Sequence, residues 1–183
     1  MDVVGATSYL PLRHARIGRV GEAGLLPPGW RVEHLDSIRV LDIGFRGLPW
    51  ITLELHFAAA ISGDYAGIGL GPYLPAPKDA VVTLSTAVSL SALENVQAAF
   101  LVLREWRSGG EFVAQSILAA TPGDSSVRAL SRPMWDEGNI AEAVFLVKRH
   151  THEAGRATVT LRGLAFGDLA DHNERRIPSA GTI

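Results

Sequence analysis

The chain has 183 residues, 47% of them hydrophobic and 20% charged, with 17 basic against 19 acidic groups and a formal net charge of −2. A single domain of this length buries about 70% of the surface its unfolded chain exposes, so it needs no covalent or metal staple; the absence of cysteine excludes a disulfide framework, a cysteine nucleophile, a thiolate zinc site and an iron–sulfur cluster. The charge balance and a pI near 6.3 give no electrostatic reason to expect nucleic acid or an anionic membrane as partner, no apolar run reaches the roughly 18 residues of a membrane span, and Met1 to Val20 holds no apolar stretch of signal-peptide length, so no signal peptide is expected.

Glycine and proline are scattered and cut the chain into short apolar runs. In chain order, strands are predicted over Trp30–Leu35, Ile38–Ile43, Trp50–Phe57, Val81–Leu90, Ala98–Arg107, Phe112–Ala119, Val127–Met134, Glu142–His150 and Ala157–Phe166. Trp50–Phe57 alternates strictly, setting Ile51, Leu53, Leu55 and Phe57 against Trp50, Thr52, Glu54 and His56. Val81–Leu90 repeats the pattern, with Val82, Leu84, Val88 and Leu90 opposed to Thr83, Ser85, Ala87 and Ser89. Turn chemistry separates the runs at Gly44-Phe-Arg-Gly47, Ser62-Gly-Asp64, Ser108-Gly-Gly110, Thr121-Pro-Gly-Asp124 and Glu137-Gly-Asn139. Strands at this spacing indicate an all-β antiparallel sandwich or barrel. A helical period fits Leu90–Leu103 and Ile140–Val147 as an alternative, but Leu101 to Trp106 reads better as a strand leading into the Ser108-Gly109-Gly110 hairpin. The ends lack a clear period: residues 1–17 read as an arm, 18–170 as the sandwich and 171–183 as a polar tail.

Catalytic and cofactor motifs fail on context. Gly67-Ile-Gly-Leu-Gly71 is glycine-rich, but a phosphate cradle opens a helix, and Pro72, Pro75 and Pro77 follow at once. Gly123-Asp-Ser125 has an esterase-like look, yet it sits in a turn between strands and not at a strand-to-helix elbow. His150 and His152 have the spacing of two metal ligands, with His56, His172 or an acid as the third, against a solvated strand end as the plainer reading. Glycoside hydrolysis needs two facing carboxylates; Asp36, Asp42, Glu54, Glu105, Glu111, Asp136 and Glu137 offer many pairs, and nothing selects one. Binding by a surface remains. Of the four tryptophans, Trp30 is expected in the core, after Pro27-Pro-Gly29, while Trp50, Trp106 and Trp135 are candidates for stacking on a sugar face, weighed against packing at an edge.

The order of segments resembles a domain family of phage and prophage virion proteins. Gly18-Arg-Val-Gly-Glu-Ala-Gly-Leu-Leu-Pro-Pro-Gly-Trp30 is similar to that family's opening, and Gly47-Leu-Pro-Trp-Ile-Thr-Leu53 to its Gly-x-Pro-Tyr-Ile-x-Leu strand. Val82-Thr-Leu-Ser-Thr86 and Leu103-Arg-Glu-Trp-Arg-Ser-Gly-Gly-Glu-Phe112 resemble its next strand and its Gly-Gly hairpin. Thr158-Val-Thr-Leu-Arg-Gly-Leu164 and Ile177-Pro-Ser-x-Gly181 resemble its closing strand and tail, so that residues 8 to 181 are covered in order. The opening Tyr9-Leu-Pro-Leu-Arg13 and Gly167-Asp-Leu-Ala-Asp171 depart from the family's pattern near the termini, where related modules hold a structural calcium. The resemblance implies a jelly-roll β-sandwich of the non-catalytic carbohydrate-binding kind, carried on fibres or spikes of phages, prophages and gene transfer agents. It implies adsorption to a cell-surface polysaccharide such as a capsule, without catalysis, on the surface of a particle made in the cytoplasm and released by lysis; the residues themselves point to no cofactor, no metal site and no catalytic residues, and whether a structural calcium is held is left open. The expected partners are that polysaccharide and other virion or spike subunits, in a homo-oligomer or a spike hetero-oligomer, and neither nucleic acid nor membrane.

In a jelly roll, the polar face of the central strands of one sheet forms a groove. If Val81–Leu90, Ala98–Arg107 and Glu142–His150 lie in that sheet, the carbohydrate-binding residues are Thr83, Ser85, Arg104, Trp106 and Arg149, with Lys148 and His150 in the other register. Trp106 is the expected stacking platform and Arg104 a fork toward hydroxyls or an acidic sugar. An alternative groove uses Trp50, Glu54 and His56. The competing function is a structural spike base or adaptor whose outward faces and Arg13, His14 and Arg16 are buried against neighbours; a glycan-active enzyme ranks third.

Overall fold

In β4 (Trp50–Phe57), Ile51, Leu53, Leu55 and Phe57 are buried to 1% exposure or less while every intervening residue is half-buried, so alternation in sequence becomes a layer with one apolar face. The computed structural model describes residues 8–9, 12–59, 63–122, 126–135 and 139–168. The other strands are β1 (Ser8–Tyr9), β2 (Arg31–Glu33), β3 (Ser37–Gly44), β5 (Tyr65–Gly69), β6 (Leu74–Pro75), β7 (Val81–Glu94), β8 (Val96–Trp106), β9 (Phe112–Ala120), β10 (Val127–Pro133), β11 (Ile140–Arg149) and β12 (Gly155–Asp168). All nine predicted strands are present. Both stretches that fitted a helical period are strands, because β7 runs to Glu94 and β8 starts at Val96. Among the described residues, no helix is long and apolar enough to cross a membrane.

The strands form two six-stranded antiparallel sheets. The first has the order β10-β7-β12-β4-β3 with β1 on β12, and the second β2-β5-β11-β8-β9 with β6 on β11. The chain passes from one sheet to the other between β1 and β2, β2 and β3, β4 and β5, β6 and β7, β7 and β8, β9 and β10, β10 and β11, and β11 and β12, which is the jelly-roll crossing pattern. The inner faces interdigitate around Ile51, Leu53 and Leu55 of β4, Leu101 and Leu103 of β8, Phe145 and Val147 of β11, and Val159 and Leu161 of β12. Trp30 joins this core at 8% exposure.

Two sequence expectations change. The segment before residue 18 is not wholly an arm: a single turn at Leu12–His14 buries Leu12 and Ala15 in the core, and Arg16 exchanges backbone hydrogen bonds with Leu25 at 2.9 Å. Residues 1–7, 10–11 and the tail lie outside the described residues, as do Gly123, Asp124, Ser125, Asp136 and Glu137. The second change is that β7 and β8, although consecutive, do not pair. They meet at a one-residue corner where Asn95 has φ 56° and Ala92 φ 47°. Asn95 ties this corner to the β11–β12 turn: its amide donates to the carbonyls of Thr151 and Glu153 (3.1 and 2.7 Å), and its Oδ1 accepts from the Thr151 amide and hydroxyl (2.8 and 2.9 Å).

Candidate functional site

The outer face of the second sheet carries a groove of about 540 Å³. The register assigns its floor row by row. Glu33, Gly67, Leu146, Phe100 and Ala119 stand opposite one another across β2, β5, β11, β8 and β9. The next row is Arg31, Gly69, Val144, Val102 and Ile117, followed by Glu142, Arg104 and Gln115, and then Ile140, Trp106 and Phe112. The inner-facing neighbours on β8 and β11 belong to the sandwich core, whereas Val102, Val144 and Leu146, packed with Phe100, form a separate apolar cluster beneath the groove.

Glycines shape one side of it. On β5 the outward positions after Tyr65 are Gly67 and Gly69: a Cβ on Gly67 would meet the Phe145 carbonyl and the Leu146 side chain, and one on Gly69 would meet the Arg31 guanidinium at 2.8 Å. The glycine-rich run is thus a strand that lets neighbouring side chains lie flat across it. The aromatic wall is on the opposite side. Trp106 is half-buried, with Phe112 edge-on to its ring at 5.4 Å between centroids, and Phe112 and Ile117 are 48% and 52% exposed, while Tyr65 on the glycine strand is 44% exposed.

A charged ladder crosses the floor. Glu142, whose side chain is 3% exposed, accepts at Oε1 from Arg31 (2.6 Å) and at Oε2 from the Trp106 indole N–H (2.8 Å), with Arg104 Nη1 3.5 Å away. The same Arg104 nitrogen donates to both oxygens of Glu33 at 3.1 Å. Arg31 also donates to the Gly71 carbonyl at 2.9 Å and lies 4.1 Å from the Tyr73 ring centre. These contacts hold the indole in one orientation, with its polar edge tied down beside the groove.

Of the expected residues, Arg104 and Trp106 face the groove; the other three do not. Thr83 and Ser85 lie in the first sheet, on the face of β7 opposite Val82 and Leu84, and are 2% and 3% exposed; Thr83 Oγ1 is hydrogen-bonded to Ser131 Oγ at 2.8 Å. They were placed beside β8 on the condition that Val81–Leu90 shares a sheet with Ala98–Arg107 and Glu142–His150, and the Asn95 corner puts β7 in the other sheet. Arg149 is inward-facing and 4% exposed. Its guanidinium donates to the carbonyls of Ala58 (3.1 Å) and Gly63, and its amide to the Asp64 carbonyl at 2.8 Å. Gly63 and Asp64 line the groove, so Arg149 positions a wall without facing the space. Lys148 takes the outward register, opposite Tyr65 and Ala98.

The alternative residues share the outer face of the first sheet. Glu54 bonds His56 Nε2 at 2.9 Å and lies 3.1 Å from Arg39; the His56 hydrogen bond, with Arg39 and Arg156 nearby, holds the Glu54 carboxyl below its usual range against the opposing effect of burial. Trp50 is packed down on Gly44, where an added Cβ would run into the ring. Its N–H donates to Asp42 at 2.9 Å, and Arg162 lies 5.3 Å from its ring. This ring is an edge cover, consistent with the packing alternative weighed for it. Trp135 is 57% exposed, 4.9 Å from the Arg132 guanidinium. His150 and His152 are exposed, and among the described residues no three His, Cys, Asp or Glu side chains gather as metal ligands.

Sequence reasoning missed Arg31, Glu33, Tyr65, Phe112, Gln115 and Glu142. One signal was available for part of this set: Tyr65-x-Gly67-x-Gly69 puts a ring and two glycines on one strand face, which marks a surface kept open.

Two six-stranded antiparallel sheets, linked by repeated crossings and grooved on one outer face, define a jelly-roll β-sandwich. Neither a protein-family model nor a curated protein matches the sequence. Among solved structures, the chain is similar to the enzymatically active domain of tailspike protein 4 of Bacteriophage CBA120, with 13% identity and a TM-score of 0.50 over 78% of this chain and 20% of that one. It is also similar to the arabinose-bound MgGH51 α-L-arabinofuranosidase, with 11% identity and a TM-score of 0.52 over 77% of this chain and 23% of that one. The CBM22-1 xylan-binding domain of Paenibacillus barcinonensis Xyn10C matches at 15% identity and a TM-score of 0.45, over 77% and 86% of the two chains. The chain spans a fifth of the tailspike chain and under a quarter of the arabinofuranosidase, and the likeness is one of fold.

Proposed function

We propose that the domain binds a polysaccharide in the groove of the second sheet, without turning it over, and that it does so as the adsorption component of a virion or gene-transfer-agent fibre or spike. The observation that carries the binding reading is the groove itself: the half-buried Trp106 ring, steered by Glu142 and backed by Phe112, stands beside Arg104 and Gln115 over an apolar floor. A sugar ring offers an apolar face for stacking and a rim of hydroxyls for hydrogen bonding, and this surface matches both. Hydrolysis fits the groove poorly. Both oxygens of Glu33 and both of Glu142 are already in contact with guanidinium or indole N–H groups, so neither carboxylate stands ready as acid or nucleophile.

The virion setting rests on the ordered motif resemblance over residues 8 to 181. A cell-surface polysaccharide is the ligand this setting calls for, and release of the particle by lysis of the producing cell is the route by which the protein reaches it. A structural spike-base role is favoured by a different observation. Ile17, Val20 and Leu25 are 54%, 95% and 46% exposed next to the exposed Arg13, His14 and Arg16, a surface suited to attachment. The two readings are compatible if that surface holds the particle and the groove holds the glycan.

The test is a glycan array probed with the wild-type domain and with Trp106→Ala, Phe112→Ala and Trp50→Ala. Phe112 is exposed, so its replacement leaves the core intact. Loss of at least about tenfold in affinity at Trp106 and Phe112, on the scale of a lost stacking ring, with Trp50→Ala unchanged, is the expected result. Binding that survives at Trp106 and Phe112 and is lost at Trp50 moves the site to the first sheet.

A further inference from the structure

The ladder that steers Trp106 also fixes the charge the groove presents. Glu33, Asp64 and Arg104 line the groove, and the ladder links Arg104 to Glu33 and Glu142 and Arg31 to Glu142. Neither cation is uncommitted. Arg31 donates to Glu142 at 2.6 Å and to the Gly71 carbonyl, and Arg104 Nη1 sits between both oxygens of Glu33 and the nearer oxygen of Glu142. Arg107, beyond Trp106, is likewise paired, at 2.7 Å from Glu111. Lys148 stands opposite Tyr65 in the register but is not among the residues that line the groove.

Given that the groove binds a glycan, we propose that its ligand is an uncharged polysaccharide and that Glu33 and Glu142 exclude chains bearing uronate, sialate or pyruvate groups. An anionic sugar entering this space faces the Asp64 and Glu33 carboxylates on the lining, with Glu142 buried behind Arg104. To take the Arg104 nitrogen that Glu33 holds it must displace Glu33, leaving that carboxylate half-buried without its partner, and at the remaining Arg104 N–H groups its charge stands beside the Glu33 carboxylate. A neutral sugar costs nothing of the kind: its hydroxyls donate to the outward lone pairs of Glu33 and accept from the remaining Arg104 N–H groups, and the ladder stays closed. This revises the sequence reading of Arg104 as a fork for an acidic sugar, since the fork is occupied from within the chain.

The probes are immobilised neutral chains (a β-glucan, a mannan, a galactan and a xylan) beside polygalacturonate, alginate and polysialic acid, each tested with wild type, Trp106→Ala and Glu33→Gln. The expected result has three parts. Binding is confined to one or more neutral chains and is lost in Trp106→Ala. Affinity changes less than twofold between about 50 mM and about 500 mM NaCl, because no net charge is neutralised on binding. Glu33→Gln, which frees Arg104, gains measurable, salt-sensitive binding to an acidic chain. Preferential wild-type binding of an acidic chain that weakens with salt and depends on Trp106 overturns the charge inference while leaving the groove as the site. Absence of binding to every chain overturns the glycan reading and this inference together.

Discussion

At the scale of single residues, the structure separates side chains that face the groove from side chains that hold the fold, although both sit side by side on β8. Arg104 and Trp106 look outward, and Glu105 between them looks inward, with no exposed surface. Burial alone would raise the Glu105 carboxyl; the Trp135 amide (2.7 Å), Asn139 (2.6 Å) and Arg132 (2.9 Å) outweigh it and hold the group below its ordinary value of 4.5. The stability this carboxylate contributes is therefore complete above pH 4.5 and is lost as pH falls through its lower folded value. Chemical denaturation of Glu105→Ala is expected to show a loss of about 3 kcal/mol at neutral pH, the scale for stripping one partner from a buried ion pair. Glu105→Gln should show a flatter decline on acidification than wild type, measured as the denaturation midpoint across the acid range. An unchanged acid profile would mean that the cluster does not titrate as described. In the sequence, Glu105 stood only as one of seven carboxylates, because its partners come from β10 and the turn after it, and alternation along one strand says nothing about a neighbour in the other sheet.

At the scale of elements, alternation was enough to find the strands and their inner faces. The faces of β4 and β8 are as expected from Trp50–Phe57 and from the Leu101, Leu103 set. Pairing was another matter. The sequence does not record that β7 turns a corner at Asn95 into the opposite sheet, and this alone moved Thr83 and Ser85 away from Arg104. The turn is held by four hydrogen bonds from one side chain that also has a left-handed backbone. Asn95→Ala is expected to cost about 2 kcal/mol in equilibrium unfolding, from lost hydrogen bonds and a strained φ. Asn95→Gly keeps the backbone freedom but not the bonds and should fall between the two. Equal stability of all three forms would show that the corner is set by the flanking strands. On β5, Gly67→Val is expected to perturb the fold more than Tyr65→Ala, since its Cβ meets the backbone of β11 while Tyr65 is largely exposed.

At the scale of the molecule, the fold divides the labour between two outer faces. The first sheet covers itself: Trp50 lies on Gly44, Thr52 bonds Thr160 at 2.9 Å, and Arg39, Glu54, His56, Glu94 and Arg156 are linked by ion pairs and hydrogen bonds. The second leaves a groove whose rows run across five strands that are distant in sequence. That distance explains why Trp106 and Arg104 were legible and Arg31, Glu33 and Glu142 were not. The first two share a strand; the others reach them only through register. The account turns on whether a glycan enters this groove, and the four tryptophan indole N–H signals report on it separately. Titrating an array-selected polysaccharide into the labelled domain and following those signals by two-dimensional NMR should shift Trp106 while leaving those of Trp30 and Trp50 in place. Movement of Trp50 with Trp106 unmoved would contradict the groove.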